Sequence, residues 1–74
     1  MTIPIIDMEA TGRNIKQFRR ERGMTVSELR EVFGFTNPQA IYRWESGGSL
    51  PTIDNLVILA SVLGVTIDEI LIME

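Results

Sequence analysis

Residues 35–48 read FTNPQAIYRWESGG. Asn37 suits a helix N-cap, and Pro38 suits the first helical position, where a missing N–H costs nothing. Gly47 and Gly48 stop the helix again. The stretch therefore predicts a short helix over about residues 38–46. Ile41 and Trp44 are three apart and share a face; as the most apolar pair, they are assigned to the core. Gln39 and Arg43 are four apart on the opposite side, with Tyr42 beside them. Such large groups on so short a helix leave two explanations: a solvated outer face, or a surface that a partner reads.

Helix signals continue on both sides. Upstream, TVSE (residues 25–28) is a capping box, in which the Thr25 hydroxyl accepts from the Glu28 amide and Glu28 reaches back to Thr25. It opens a second helix over about 26–33, with Leu29, Val32 and Phe33 expected on its buried face and Gly34 at its end. Before it, a helix from Gly12 to Gly23 carries Ile15 and Phe18 on one stripe and Arg13, Lys16 and Arg20 on another. Downstream, Thr52 caps a helix whose Leu56, Leu59, Ala60 and Leu63 follow the i, i+3, i+4, i+7 rule, closed by Gly64. TIDE (residues 66–69) is a second capping box, opening a short last helix through Ile72.

These signals predict a compact all-α, five-helix domain over residues 12–74, with loops of about 2–6 residues. An N-terminal arm, residues 1–11, precedes it. Its IPII (residues 3–6) is β-branched and contains Pro4. Three readings stay open there: an extended cover over the core, a short strand, or an arm that joins a dimer partner.

At 74 residues the chain makes one domain with a thin core. It contains no cysteine and no histidine, so disulfides, thiol chemistry, the usual zinc sites and His-based acid–base catalysis are excluded. No apolar run approaches the ~20 residues of a membrane span. The start, MTIPIIDMEATG, lacks the basic region of a signal peptide, and a cytoplasmic location without membrane contact is expected. Net charge is −3, but it is unevenly spread. All seven cations (Arg13, Lys16, Arg19, Arg20, Arg22, Arg30, Arg43) precede residue 46, whereas Asp54, Asp68, Glu69 and Glu74 stand alone after it. A binding site feels its local field and not the chain average.

The ordered set FRRERGMTVSEL (18–29), Gly34, IYRWESG (41–47) and LPTIDNLVILASVLGVTIDEIL (50–71) resembles the helix-turn-helix domains of the phage-repressor, Cro and xenobiotic-response-element family. The resemblance spans about residues 12–72. It implies a five-helix domain that binds double-stranded DNA, usually as a homodimer, and regulates transcription, with no cofactor. It also implies that Gln39 and Arg43 contact bases. Glutamine can bind adenine bidentately and arginine can bind guanine O6 and N7, each worth ~1–3 kcal/mol of discrimination. Tyr42 is a further candidate, for a thymine methyl or a phosphate. Phosphate contacts are expected from the backbone at Thr25 and Val26, from the Ser46 to Ser49 loop, and from Lys16 and Arg20. In the family an arginine at the Arg19 position pairs with a glutamate at the Glu45 position. Both lie on inward-leaning faces, where an unpaired charge would be costly.

The sequence departs from the family pattern in four places. Val26 stands where a glutamine often contacts DNA. Arg30 stands where alanine is preferred. The turn GFTNP is one residue longer than usual, and the two differences are expected to be linked, the larger residue being accommodated by the longer turn. The loop SGGSLP (46–51) carries no cation, which predicts few phosphate contacts and a shallow salt dependence.

Two functional classes follow. One is a sequence-specific DNA-binding regulator, of the repressor type found in phages, mobile elements or toxin–antitoxin pairs. The other is a helix-turn-helix module that binds proteins or dimerises, using the apolar Ile67, Ile70, Leu71, Ile72 and Met73. An enzyme is disfavoured: no nucleophile–base pair, metal cluster or phosphate-binding glycine loop is present.

Overall fold

In the computed structural model, which describes residues 2–74, the chain forms five helices: α1 (Met8–Glu21), α2 (Val26–Phe33), α3 (Gln39–Ser46), α4 (Ile53–Leu63) and α5 (Ile67–Ile70). Local chemistry sets most of the boundaries. Both capping boxes form, at Thr25/Glu28 and at Thr66/Glu69. The Thr52 hydroxyl accepts from the Asn55 amide to start α4. Gly34, Gly47 and Gly64 end α2, α3 and α4 in the left-handed region, with φ between 70° and 81°.

One core joins all five helices. It consists of Ile15 from α1, Leu29 from α2, Ile41 and Trp44 from α3, Leu56, Leu59, Ala60 and Leu63 from α4, and Ile70 from α5. Val32 does not join it and is about half exposed. Phe33 takes that side of α2 instead. Its ring stacks on Phe35 at 5.1 Å and meets Trp44 edge-on at 5.3 Å. This draws the buried line of α2 along Leu29 and Phe33, four apart, and leaves Val32 at the rim.

α1 begins earlier than expected, inside the segment assigned to the arm. Asp7 caps it, its Oδ1 accepting from the Ala10 amide at 3.0 Å. The extended segment is therefore shorter than residues 1–11, and Met1 lies outside the described residues. What precedes α1 pairs with the chain's own C-terminus. Ile6 and Met73 form an antiparallel bridge. The Asp7 amide donates to the Ile72 carbonyl at 2.7 Å, and the Glu74 amide donates to the Ile5 carbonyl at 2.8 Å. Of the three readings left open for IPII, the structure has the short strand-like pairing, made within the chain.

α5 also stops sooner than expected, at Ile70. Two α1 side chains finish it. Asn14 Nδ2 donates to the carbonyls of Glu69 and Ile70, at 2.6 and 3.1 Å. The fully buried Thr11 hydroxyl accepts from the Ile72 amide at 3.0 Å. The C-terminal apolar residues are thus largely used internally: Ile70 is fully buried, and among them Met73 alone is as much as half exposed.

Candidate nucleic-acid interface

α3 lies across α1, and the two meet at glycine. A Cβ on Gly12 would collide with the Trp44 and Glu45 carbonyl oxygens, so only glycine permits this approach. A Cβ on Gly47 would come within 2.8 Å of the Glu9 Cα, and its φ of 81° is one that L side chains rarely adopt. Above this crossing, Arg19 reaches Glu45. Arg19 Nε donates to Glu45 Oε2 at 2.7 Å and Nη2 donates to Oε1 at 3.1 Å, a bidentate pair. Arg19 Nη1 donates to the Met24 carbonyl at 2.9 Å, tying the α1–α2 turn to the same group. Both side chains are over nine-tenths buried. Chiefly through its hydrogen bonds with Glu45, the Arg19 pKa is raised further, so the guanidinium stays charged.

This anchoring fixes which side of α3 faces out. Ile41 and Trp44 are buried, while Gln39, Tyr42 and Arg43 are exposed. α3 starts one residue later than expected, at Gln39. Asn37 is not the N-cap; its Oδ1 accepts from the Gln39 amide at 3.1 Å as an Asx turn, with Pro38 between them. Proline has no N–H to offer, so the first amide of the turn that Asn37 can accept from is that of Gln39.

Beside the outer face of α3 lies a cleft of about 530 Å³, lined by Lys16, Arg19, Arg20, Val26, Tyr42, Glu45 and Ser46. The fold thus gathers Lys16, Arg20, Val26, Tyr42 and Ser46 around one opening, with the Arg19–Glu45 pair as its inner wall. Thr25, Gln39, Arg43 and Ser49 are not part of this lining.

Thr25 is not available as expected. Its amide donates to Glu28 Oε1 at 3.0 Å, completing the capping box. This bond, and then one with the Thr25 side chain, lowers the Glu28 pKa below its ordinary value. The carboxylate therefore occupies the spot where an amide was expected to meet phosphate. Val26 keeps its backbone donor, as first-turn amides do. In the Ser46–Ser49 loop the amides of Gly48 and Ser49 turn back to the Arg43 carbonyl, at 2.9 and 3.4 Å. The Ser46 hydroxyl donates to that carbonyl too, at 3.1 Å. The loop is spent on closing α3, and the hydroxyl of Ser49 is its remaining donor group.

The expected partner of the longer turn is also visible. Arg30 Nη1 donates to the Phe35 carbonyl at 2.9 Å, and Nη2 is 3.7 Å from Glu31 Oε1. Arg30 fastens the turn instead of merely being accommodated by it. Phe35 was missed in the sequence because it lies outside both helices, where periodicity gives no signal.

A helix-turn-helix family model matches residues 15–70. The chain belongs to the helix-turn-helix family. Its type is that of Cro and the phage repressors, a group of DNA-binding transcriptional regulators. Solved structures with this fold include the restriction-modification controller protein C.AhdI from Aeromonas hydrophila, at 20% identity and a TM-score of 0.76, covering 86% of this chain and 96% of that one. The clp gene regulator ClgR from C. glutamicum is similar at 25% identity and 0.72, with 85% and 80% covered. The BldD DNA-binding domain from S. venezulae is similar at 21% and 0.73, with 88% and 96% covered. No curated protein matches the chain in sequence.

Proposed function

We propose that this helix-turn-helix protein binds duplex DNA in a sequence-specific way and regulates transcription as a repressor, acting as a homodimer in the cytoplasm. The observation that carries the reading is the division of α3. Ile41, Trp44 and the Arg19–Glu45 pair hold one side, and Gln39, Tyr42 and Arg43 stand free on the other. A major groove ~12 Å wide admits one such helix. Gln39 and Arg43 read base edges. Tyr42 lines the cleft beside them, where Lys16, Arg20 and the Val26 amide hold phosphates. The helix-turn-helix regulators of similar fold support this reading.

In-vitro selection from a random duplex pool tests it. An enriched near-palindrome with ~10 bp between half-site centres is the expected result for a dimer. Absence of any enriched sequence at low salt would remove the proposal. A second reading, a helix-turn-helix module that binds proteins, is favoured by one observation: Ile53, Val57 and Ile58 form an exposed apolar strip on α4, at 80%, 54% and 42% exposure. Titration of random duplex DNA at low and at moderate salt separates the two, since a module that binds proteins alone binds the duplex at neither.

A further inference from the structure

We infer that Arg30 is a positioning residue for DNA reading, one that sets the orientation of α3 through the turn and touches no base itself. The inference rests on the proposed function and deepens it. Arg30 closes the turn from two sides. Its backbone carbonyl accepts from the Phe35 amide at 3.2 Å, and its guanidinium donates to the Phe35 carbonyl at 2.9 Å. One peptide-length of chain is thus held at both of its polar groups by one residue of α2. Glu31 braces the guanidinium from the side, and the Arg30 side chain is about a quarter exposed.

The hold is passed on by aromatic contact. The Phe35 ring stacks on Phe33 of α2 and meets Trp44 of α3 edge-on, with centroids 5.9 Å apart. Trp44 is the buried neighbour of the exposed Arg43 on the same short helix, so a shift at Phe35 is carried to the outer face of α3. Gln39, at the near end, is tied to the same turn through Asn37. The rest of the core does not depend on Arg30. Leu29, Ile41 and Trp44 are buried by their own packing. Loss of the guanidinium therefore loosens the angle of α3 without unfolding the domain. A base contact needs its donors placed to within a fraction of an ångström, whereas a phosphate contact tolerates a shift. Specific binding accordingly suffers more than non-specific binding.

The test compares wild type, Arg30→Ala and Arg30→Gln. Each is titrated against the duplex selected by wild type and against a random duplex, over a range of salt. For Arg30→Ala, affinity for the selected duplex is expected to fall roughly tenfold, the order of one lost base contact. Random-duplex affinity and the salt slope are expected to stay as in wild type. Arg30→Gln, which keeps a donor and loses the charge, is expected to recover part of the loss. Equal weakening on both duplexes with a salt slope lower by about one would make Arg30 a phosphate contact and overturn the inference. Unchanged specificity in Arg30→Ala would overturn it as well. If wild type itself selects no sequence, the proposed function fails, and the inference with it. Amide exchange without DNA adds a separate reading. Exchange at Phe35 and Gln39 is expected to rise about tenfold in Arg30→Ala while that at Leu59 holds, and no rise would overturn the clasp on its own.

Discussion

Arg19 and Glu45 join α1 to α3 by two parallel hydrogen bonds, at 2.7 and 3.1 Å, with both side chains almost wholly buried. Arg19 also holds the Met24 carbonyl, so one guanidinium ties α1 and the α1–α2 turn to α3. Removing either partner leaves a buried charge uncompensated. Arg19→Ala and Glu45→Ala are each expected to cost ~3–5 kcal/mol. That approaches the whole stability of so small a domain, at ~0.05–0.15 kcal/mol per residue. Urea unfolding followed by circular dichroism measures it. A double-mutant cycle should show strong coupling, and additive losses would contradict the pairing.

Gly12 makes a second stability prediction. Alanine favours a helix over glycine by about 1 kcal/mol, so Gly12→Ala on a free helix would stabilise. Here the added methyl meets the Trp44 and Glu45 carbonyl oxygens, and helix backbones cannot yield as side chains do. A net loss of about 1–3 kcal/mol is expected, as for overpacking. Thermal unfolding distinguishes the two signs.

Thr11 supplies a third. Thr11→Val keeps the shape of the side chain and removes the acceptor of the Ile72 amide. The cost should be ~1–3 kcal/mol, that of an unsatisfied buried donor. Amide exchange should quicken at Ile72 and at Asp7, whose amide bonds the Ile72 carbonyl.

The capping box of α2 gives a pH dependence. Glu28 has a folded-state pKa lowered from 4.5. A group depressed on folding contributes stability that is fully present above its unfolded value and is lost as pH falls through its folded one. The stability difference between wild type and Glu28→Ala should therefore be constant near neutral pH and shrink as pH drops below 4.5. A difference that grows on acidification would reverse the assignment.

On DNA the outer residues of α3 and those of the cleft should behave differently. Gln39→Ala and Arg43→Ala are expected to lose ~1–3 kcal/mol on the selected duplex and to relax preference at one base position each. Lys16→Ala and Arg20→Ala should weaken all duplexes alike and lower the salt slope by about one. Repeating the selection with each variant reads the first effect, and titration over salt reads the second.

Most of the fold was legible because its signals are local. A capping box needs four consecutive residues, as at Thr25–Glu28 and Thr66–Glu69. A helix stop needs one glycine able to take a positive φ, as at Gly34 and Gly64. The core stripe of α4 follows from spacing alone. What was not legible lies outside the apolar period of a helix or depends on how side chains pack in the folded chain. Val32 looked buried by period, yet Phe33, Phe35 and Trp44 packed together and displaced it. The start of α1 went unseen because Asp7 precedes the residues whose apolar spacing marks that helix.

The sequence by itself determined the five helices, their order, the inward Ile41 and Trp44, and the outward Gln39, Tyr42 and Arg43. These follow from turn chemistry and a 3.6-residue period, which the chain carries locally. Only the tertiary structure decided how the two ends pair, how Thr11 and Asn14 finish α5, and that Arg30 fastens the turn at Phe35. Those bonds join groups that are neighbours only in the folded chain or lie in a turn without a period. Their free energy depends on distance and burial, which no run of residues specifies alone.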